Sequence, residues 1–419
     1  MIAEPFALAQ QVGLSTSRLT RIDALMQAFI DRGVISGGVT LLARKGRIAH
    51  LAAHGLMDIA SRKSMRTDTL FRLASMTKPV ISAAILMLLE EGRLLLNEPV
   101  SDYLPTFRNM HVAVPNPAIP NWASTELPAG EFHLQPAHRE ITIRDLLTHT
   151  SGLGSAITGP GFTEVVALLQ SIQVGENLSD VVPKMASVPL SFQPGSAWEY
   201  SGAIGFDVLA RIVEIVAGVE IDQFLHERLY EPLQMSDTSF NIPPRRQYEL
   251  ATVYDRGPNE LEVNEPTGVL GLSTLPGNCY CSGGGGLVGT AEDYARFAIM
   301  LAHSGQLAAG ERLLSRKTVE LMASNHIGDL PLILGLMDNR GYRFGLGVRV
   351  LENPGEASSP ASRGTFGWSG AFGTQVFIDP PEQMVGILLI QRKPGPPNDP
   401  LLRTLWPRYQ NTCYQALDD

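Results

Sequence analysis

Cysteine is scarce in this 419-residue chain, which has only Cys279, Cys281 and Cys413. An odd count, with one residue between the first two, argues against a disulfide framework. No cluster of His or Cys accompanies the Cys-x-Cys pair to complete a metal site, so the thiols read as buried or idle side chains. Long apolar runs are missing too. The two longest mainly apolar stretches, Val80–Leu89 and Met384–Ile390, fall well short of the ~20 residues that span a bilayer. Dense clusters of Lys and Arg are absent, and 33 basic side chains face 42 acidic ones for a formal charge of −9. A nucleic-acid partner is therefore not expected. The opening MIAEPFALAQQVGL has no basic head, sustained apolar stretch or small-residue cleavage site. A soluble, cytoplasmic protein without a membrane partner is the expectation.

What is present suits a large core, with 44% of residues hydrophobic and 18% charged. Residues 17–33 carry Leu19, Ile22, Leu25, Met26, Phe29 and Ile30 at helical spacing. Two strand-like runs, Val39–Ala43 and Arg47–Ala53, flank the turn Arg44-Lys45-Gly46, the pattern of a β-hairpin. Helical patterns recur after Ser75, at Ile143–Leu147 and at Gly205–Val216. Residues 110–140 lack periodicity and read as a long loop or insertion, and both they and the equally aperiodic Tyr254–Asn278 are candidate pocket linings. Strand patterns return at Phe344–Leu351, Thr374–Ile378 and Val385–Ile390. Strands at both ends with helices between them predict an α+β fold whose sheet is built from both termini.

The chemistry starts at Ser75-Met76-Thr77-Lys78, which opens the most regular apolar helix. At this spacing the two Cβ atoms lie about 5–6 Å apart on one helix face. A serine hydroxyl becomes a useful nucleophile when a neighbouring base takes its proton, and a desolvated lysine can do that. The helix N-terminus adds partial positive charge that favours a nearby oxyanion. Four residues of this kind also arise by chance at helix starts, where serine is common.

Further segments in the right order strengthen the case. They are Leu73-Ala74-Ser75-Met76-Thr77-Lys78, the run Ile143–Leu153 ending in Leu-Leu-Thr-His-Thr-Ser-Gly-Leu, and Pro194-Gly195 followed by Tyr200-Ser201-Gly202. After these come Gly283–Thr290 with Asp293, and Phe366-Gly367-Trp368-Ser369-Gly370. Over about residues 15–395 the chain resembles the class C β-lactamase-like serine hydrolases, and among them the family VIII carboxylesterases. The resemblance implies a β-lactamase/penicillin-binding-protein-like fold, with an antiparallel sheet flanked by helices. Residues 1–95 and 275–419 would form that α/β part and 96–274 an inserted, mainly helical domain. It further implies Tyr200 as a second base beside Ser75 and Lys78. The backbone N–H groups of Ser75 and Ala371 would form the oxyanion hole, with Trp368, Ser369 and Gly370 contacting substrate. No cofactor and no metal are implied.

Two departures bear on substrate. Gly202 stands where β-lactamases of this class have Asn, and Trp368 stands where they have Lys. An ammonium would bind a substrate carboxylate, whereas an indole offers apolar area and one N–H. A small neutral ester is thus the expected substrate. A β-lactam, a D-amino-acid peptide or acyl transfer is the alternative on the same site, and a silent ligand-binding homologue is the alternative from another class. Arg343 or Arg363 could replace the missing cation. Competing motifs fail on context. Tyr409-Gln410-Asn411 follows the last motif, and Gly367-Trp368-Ser369-Gly370-Ala371 lacks the last glycine and the following helix of a nucleophile elbow. Gly284–Gly289 follows no dinucleotide-type strand, and His226-Glu227 lacks the second histidine of a zinc-protease helix. His149 is expected to bond backbone rather than catalyse.

Overall fold

The computed structural model describes residues 6–116, 132–154, 162–257, 260–332, 339–395 and 399–419. Its centre is an eight-stranded, wholly antiparallel sheet made from the two ends of the chain. The first end supplies β1 (Gly37–Arg44), β2 (Arg47–Asp58) and β3 (Lys63–Ser64). The second supplies β4 (Tyr342–Phe344), β5 (Arg349–Leu351), β6 (Phe366–Ser369), β7 (Gln375–Asp379) and β8 (Met384–Leu389). The spatial order is β4-β5-β6-β7-β8-β1-β2-β3, so β1 and β8 join the termini, with Leu41 opposite Ile387.

The hairpin follows from its turn. Lys45 and Gly46 have φ of 52° and 78° between the paired Arg44 and Arg47, and a two-residue loop with both φ positive matches the strands' right-handed twist. Every residue of β1 is buried because both sheet faces are covered. Leu42, Phe377, Met384 and Leu388 face one core with helices Thr16–Asp31 and Trp406–Tyr414, whereas Leu41, Val376, Val385 and Ile387 face the other. That split is the period-2 alternation of a strand. Tyr409, a candidate by letter for a catalytic tyrosine, is fully buried and donates to Leu41 O at 2.7 Å and Ile387 O at 2.8 Å. Its hydroxyl ties the terminal helix to the central strands.

Three expectations needed revision. The Phe344–Leu351 run is two short strands, because Gly347 at φ +75° turns the chain between them, where a Cβ would lie 1.9 Å from Ser82 Oγ. Residues 110–140 are not all loop. His111–Pro115 pairs with Phe132–Pro136, while 117–131 lie outside the described residues. Tyr254–Asn278 contains the paired strands Tyr254–Arg256 and Leu261–Val263 and two 3₁₀ turns. No described helix is long and apolar enough to cross a membrane. The helix Thr77–Glu90 is buried from Thr77 to Leu88, as expected of a segment apolar on nearly all sides.

On the inner face, helix Ala291–Ala302 is capped by Thr290, whose hydroxyl accepts from Asp293 N. The buried Asp293 carboxylate in turn accepts from Asp237 N at 2.7 Å and Thr238 Oγ1 at 3.0 Å. Burial pushes its pKa up to about 6 despite those bonds and Arg296. A carboxyl that holds its proton more tightly folded than unfolded stabilises below the unfolded value, and that contribution is lost as pH rises through 6. Asp293→Asn keeps an acceptor oxygen and removes the ionisation. Its melting temperature should gain on wild type between pH 4 and 6.5, by on the order of 2 kcal/mol in stability. Parallel melting curves across that range would remove this account.

Candidate active site

The nucleophile turn is built by a short strand pair. Phe71 and Arg72 run antiparallel to Val288 and Gly289, and Leu73 N donates to Leu287 O at 2.9 Å. Ala74 then adopts φ 49°, a left-handed conformation that costs a non-glycine residue on the order of 1 kcal/mol. Surrounding bonds hold that kink. Thr77 Oγ1 donates to Ala74 O at 2.7 Å, Tyr294 OH to Met76 O at 2.8 Å, and Thr374 Oγ1 to Leu73 O at 3.0 Å. Ser75 therefore sits in a 3₁₀ turn, Ala74–Met76, leading into the α-helix that starts at Thr77.

Lys78 is fully buried on this helix. Its Nζ donates to Gly202 O and Gly284 O, both at 2.6 Å, and lies 3.1 Å from Ser75 Oγ. Two of the nitrogen's four tetrahedral positions are thus taken by carbonyls and a third by its own stem. The fourth faces Ser75, and it carries N–H in the ammonium and a lone pair in the amine. From another direction Tyr200 OH reaches Ser75 Oγ at 2.7 Å. Three residues separated by up to 125 positions thus meet on one oxygen. The arrangement can activate a serine and carry its proton.

Tyr200 is placed by the segment containing His149. Glu199 N donates to His149 O at 3.1 Å, and Ser201 N donates to His149 Nδ1 at 3.3 Å. Accepting at Nδ1 puts the imidazole proton on Nε2. Burial, aided by the Lys78 charge, pushes His149 well below its usual pKa, so it is neutral. Its ring packs edge-on to Tyr200, with centroids 4.7 Å apart, and also touches Trp198, Phe344 and Trp368. His149 thus bonds backbone, as expected, and also packs against the tyrosine.

Trp368 lies on β6, its ring centroid 5.4 Å from that of Tyr200. With Trp198, Phe344 and Ile327 it forms a buried apolar cluster against which Tyr200 packs. Ser369 ends β6 and is followed by a turn and β7, which is not the strand-to-helix geometry of a nucleophile elbow. Gly370 allows close approach to the nucleophile turn, since a Cβ there would lie 2.3 Å from Leu73 O. Ala371 follows in an exposed turn, and no acceptor among the described residues takes its N–H. Leu270, from the aperiodic stretch, packs against the cluster of Ala74, Val253 and Phe372. Arg363 pairs with Glu352 at 3.1 Å, and both share an outer cleft with Arg343, Asp329 and Glu356. All three cysteines are free thiols.

A model of the Beta-lactamase family matches residues 22–408. The chain belongs to that family. Within it, the chain is 34% identical over 413 residues to Protein Rv1367c of Mycobacterium tuberculosis, covering 94% of this chain and 98% of that one. It is 32% identical over 383 residues to Esterase EstB of Burkholderia gladioli, covering 87% and 88%. Among solved structures it resembles EstCE1, described as a hydrolase with promiscuous acyltransferase activity. That match has 27% identity and a TM-score of 0.76, over 95% of this chain and 99% of the other. The β-lactamase-like fold and the class C-like, esterase-containing group expected from the motifs are those found.

For a member of this family, the motifs located the groups that meet at Ser75 but not the groups that hold them. Thr374 and Tyr294 lie outside the motif segments, and those segments contain Gly202 and Gly284 without showing that their carbonyls bind Lys78. Asp207 did leave a signal, as one of two buried acids, with Glu214, among the apolar residues of helix Ile204–Ala217. Among the described residues, the one His/Asp group with metal-like proximity is Asp23, His50 and His54. Both imidazole Nε2 atoms there already bond Thr40 Oγ1 at 2.9 Å, which satisfies them without an ion.

Proposed function

We propose that the chain is a serine carboxylesterase acting on small carboxylic esters through an acyl-enzyme. The observation that carries this reading is the junction of Lys78 Nζ and Tyr200 OH on Ser75 Oγ, at 3.1 and 2.7 Å. Ser75 Oγ attacks the ester carbonyl carbon, and its proton passes to the Lys78–Tyr200 pair. The C–O bond to the alcohol then breaks, and the pair returns the proton to the departing alkoxide. Water repeats the attack on the acyl-enzyme, releasing the acid and restoring Ser75. The N–H groups of Ser75 and Ala371 serve as oxyanion donors, and Trp368, Ser369 and Gly370 line the substrate's path.

The preference for a neutral ester rests on the indole of Trp368. A carboxylate-bearing β-lactam would meet apolar ring where a charge-assisted bond is needed, and a bond of that kind is worth about 1.5–3 kcal/mol. Wild-type kcat/KM for p-nitrophenyl butyrate is accordingly expected to exceed that for a chromogenic cephalosporin by about tenfold or more. A cephalosporin turned over faster than the ester would overturn the substrate assignment. The resemblance to EstCE1 favours one second reading, in which a bound alcohol replaces water and takes the acyl group. Adding an alcohol to the same assay separates the two. A new ester product supports transfer, and free acid alone excludes it under those conditions.

A further inference from the structure

Asp207 is a fully buried acid that the acyl-enzyme chemistry does not use. Its Oδ2 accepts from Tyr280 OH at 2.7 Å, and its Oδ1 accepts from Ser282 Oγ at 2.7 Å and from Gly284 N at 2.9 Å. Gly284 is the residue whose carbonyl receives Lys78 Nζ. It is therefore held at both ends, its N–H on a carboxylate and its C=O on the lysine.

Packing fixes the same frame. A Cβ on Gly284 would lie 2.5 Å from Ala203 Cα, and one on Gly283 would lie 2.3 Å from Phe206 O. The glycine segment thus rests directly on the backbone at the start of helix Ile204–Ala217, which carries Asp207. Gly202, the other carbonyl bound by Lys78, lies two residues before that helix. Both acceptors are thereby referenced to one helix end.

We infer that Asp207 is a positioning residue, which holds Gly284 so that the open position of Lys78 Nζ points at Ser75. Burial raises the Asp207 carboxyl above its ordinary range, while its bonds from Tyr280, Gly284 and Ser282 and the Lys78 charge oppose that rise. Three donors on two oxygens suit the ionised form. The titratable groups bearing on Lys78 among the described residues are Asp207, Tyr200 and His149.

This inference deepens the proposed reaction and rests on Lys78 acting as proton acceptor. Its test uses a serine-reactive phosphonate, which reports acylation of Ser75 whether or not the true substrate is an ester. Asp207→Ala frees Gly284 and is expected to slow phosphonate labelling about 10–100-fold, the cost of slight misplacement of a reacting group. KM for p-nitrophenyl butyrate should stay within about twofold, since Asp207 touches no substrate. Asp207→Asn keeps an oxygen for Gly284 N–H and removes the charge. It should recover most of the rate, because the Gly284 N–H keeps its acceptor.

A purely structural residue would lower the melting temperature of either variant and leave the labelling rate per folded molecule unchanged. Wild-type labelling by folded Asp207→Ala would overturn the proposal. If the alanine variant does not fold, a folded asparagine variant that labels more than about tenfold slower than wild type overturns it equally. Failure of the ester reading looks different, because wild type would then label at Ser75 without turning over the ester.

Discussion

Ser75→Ala is expected to lower ester turnover by about 10⁴-fold or more, the scale seen when a nucleophile is removed from an otherwise intact hydrolase site. The reason is local. Lys78 and Tyr200 converge on Ser75 Oγ, and among the described residues no other serine or threonine hydroxyl bonds Lys78 Nζ or Tyr200 OH. Removing one oxygen from a partly buried site should barely disturb the turn, because Thr77, Tyr294 and Thr374 hold the neighbouring backbone rather than the Ser75 side chain. The melting temperature should accordingly stay within a few degrees of wild type. The phosphonate adduct seen by mass spectrometry in wild type should vanish from the variant. Ester turnover that survives the substitution would place the nucleophile elsewhere. An absent adduct in wild type would instead point to a silent binding homologue.

The site was legible in sequence to the depth of its side chains. Ser75 and Lys78 are three apart where a 3₁₀ turn leads into the α-helix, and local spacing alone predicts that they meet. Tyr200 is 125 positions from Ser75, and only the order of several motifs connects it to them. The carbonyls of Gly202 and Gly284, which orient Lys78, are backbone atoms that every residue has. They become visible only when the fold brings two glycine segments to the lysine.

The fold showed a similar split. The β1–β2 hairpin was readable because its turn demands Gly46 and its strands are apolar. The strand run at Phe344–Leu351 misled because Gly347 breaks it, and nothing in apolar content separates a turn glycine from a strand glycine. Short paired strands such as Phe71–Arg72 fall below any periodic signal, yet that pair delivers the nucleophile. Tertiary context determines such elements, through the fit of Gly289 against the Thr238 and Leu73 side chains and of Gly370 against the Leu73 backbone.

Substitution of Lys78 separates two roles that the geometry allows. A buried ammonium could act only as a charge that keeps Tyr200 and the oxyanion in order, or the amine could itself take the Ser75 proton. Lys78→Met keeps an unbranched chain of similar length and leaves the carbonyls of Gly202 and Gly284 without their donor. Each unsatisfied buried acceptor costs about 1–3 kcal/mol, partly offset because a buried charge is also removed. Activity is expected to fall by about 10²–10⁴-fold, the range for losing a general base. Lys78→Arg is the discriminating change. Guanidinium keeps the charge and can donate to carbonyls, but it does not lose a proton in the accessible pH range and has no lone pair to offer Ser75. If charge alone were needed, the arginine variant would acylate at a substantial fraction of the wild-type rate. If the amine is the acceptor, arginine should fail as completely as methionine in phosphonate labelling, with the fold confirmed by its melting curve. A folded arginine variant that labels at more than about a tenth of the wild-type rate would transfer the base role to Tyr200. Lys78 would then be a fixed cation beside a tyrosine that does the proton chemistry.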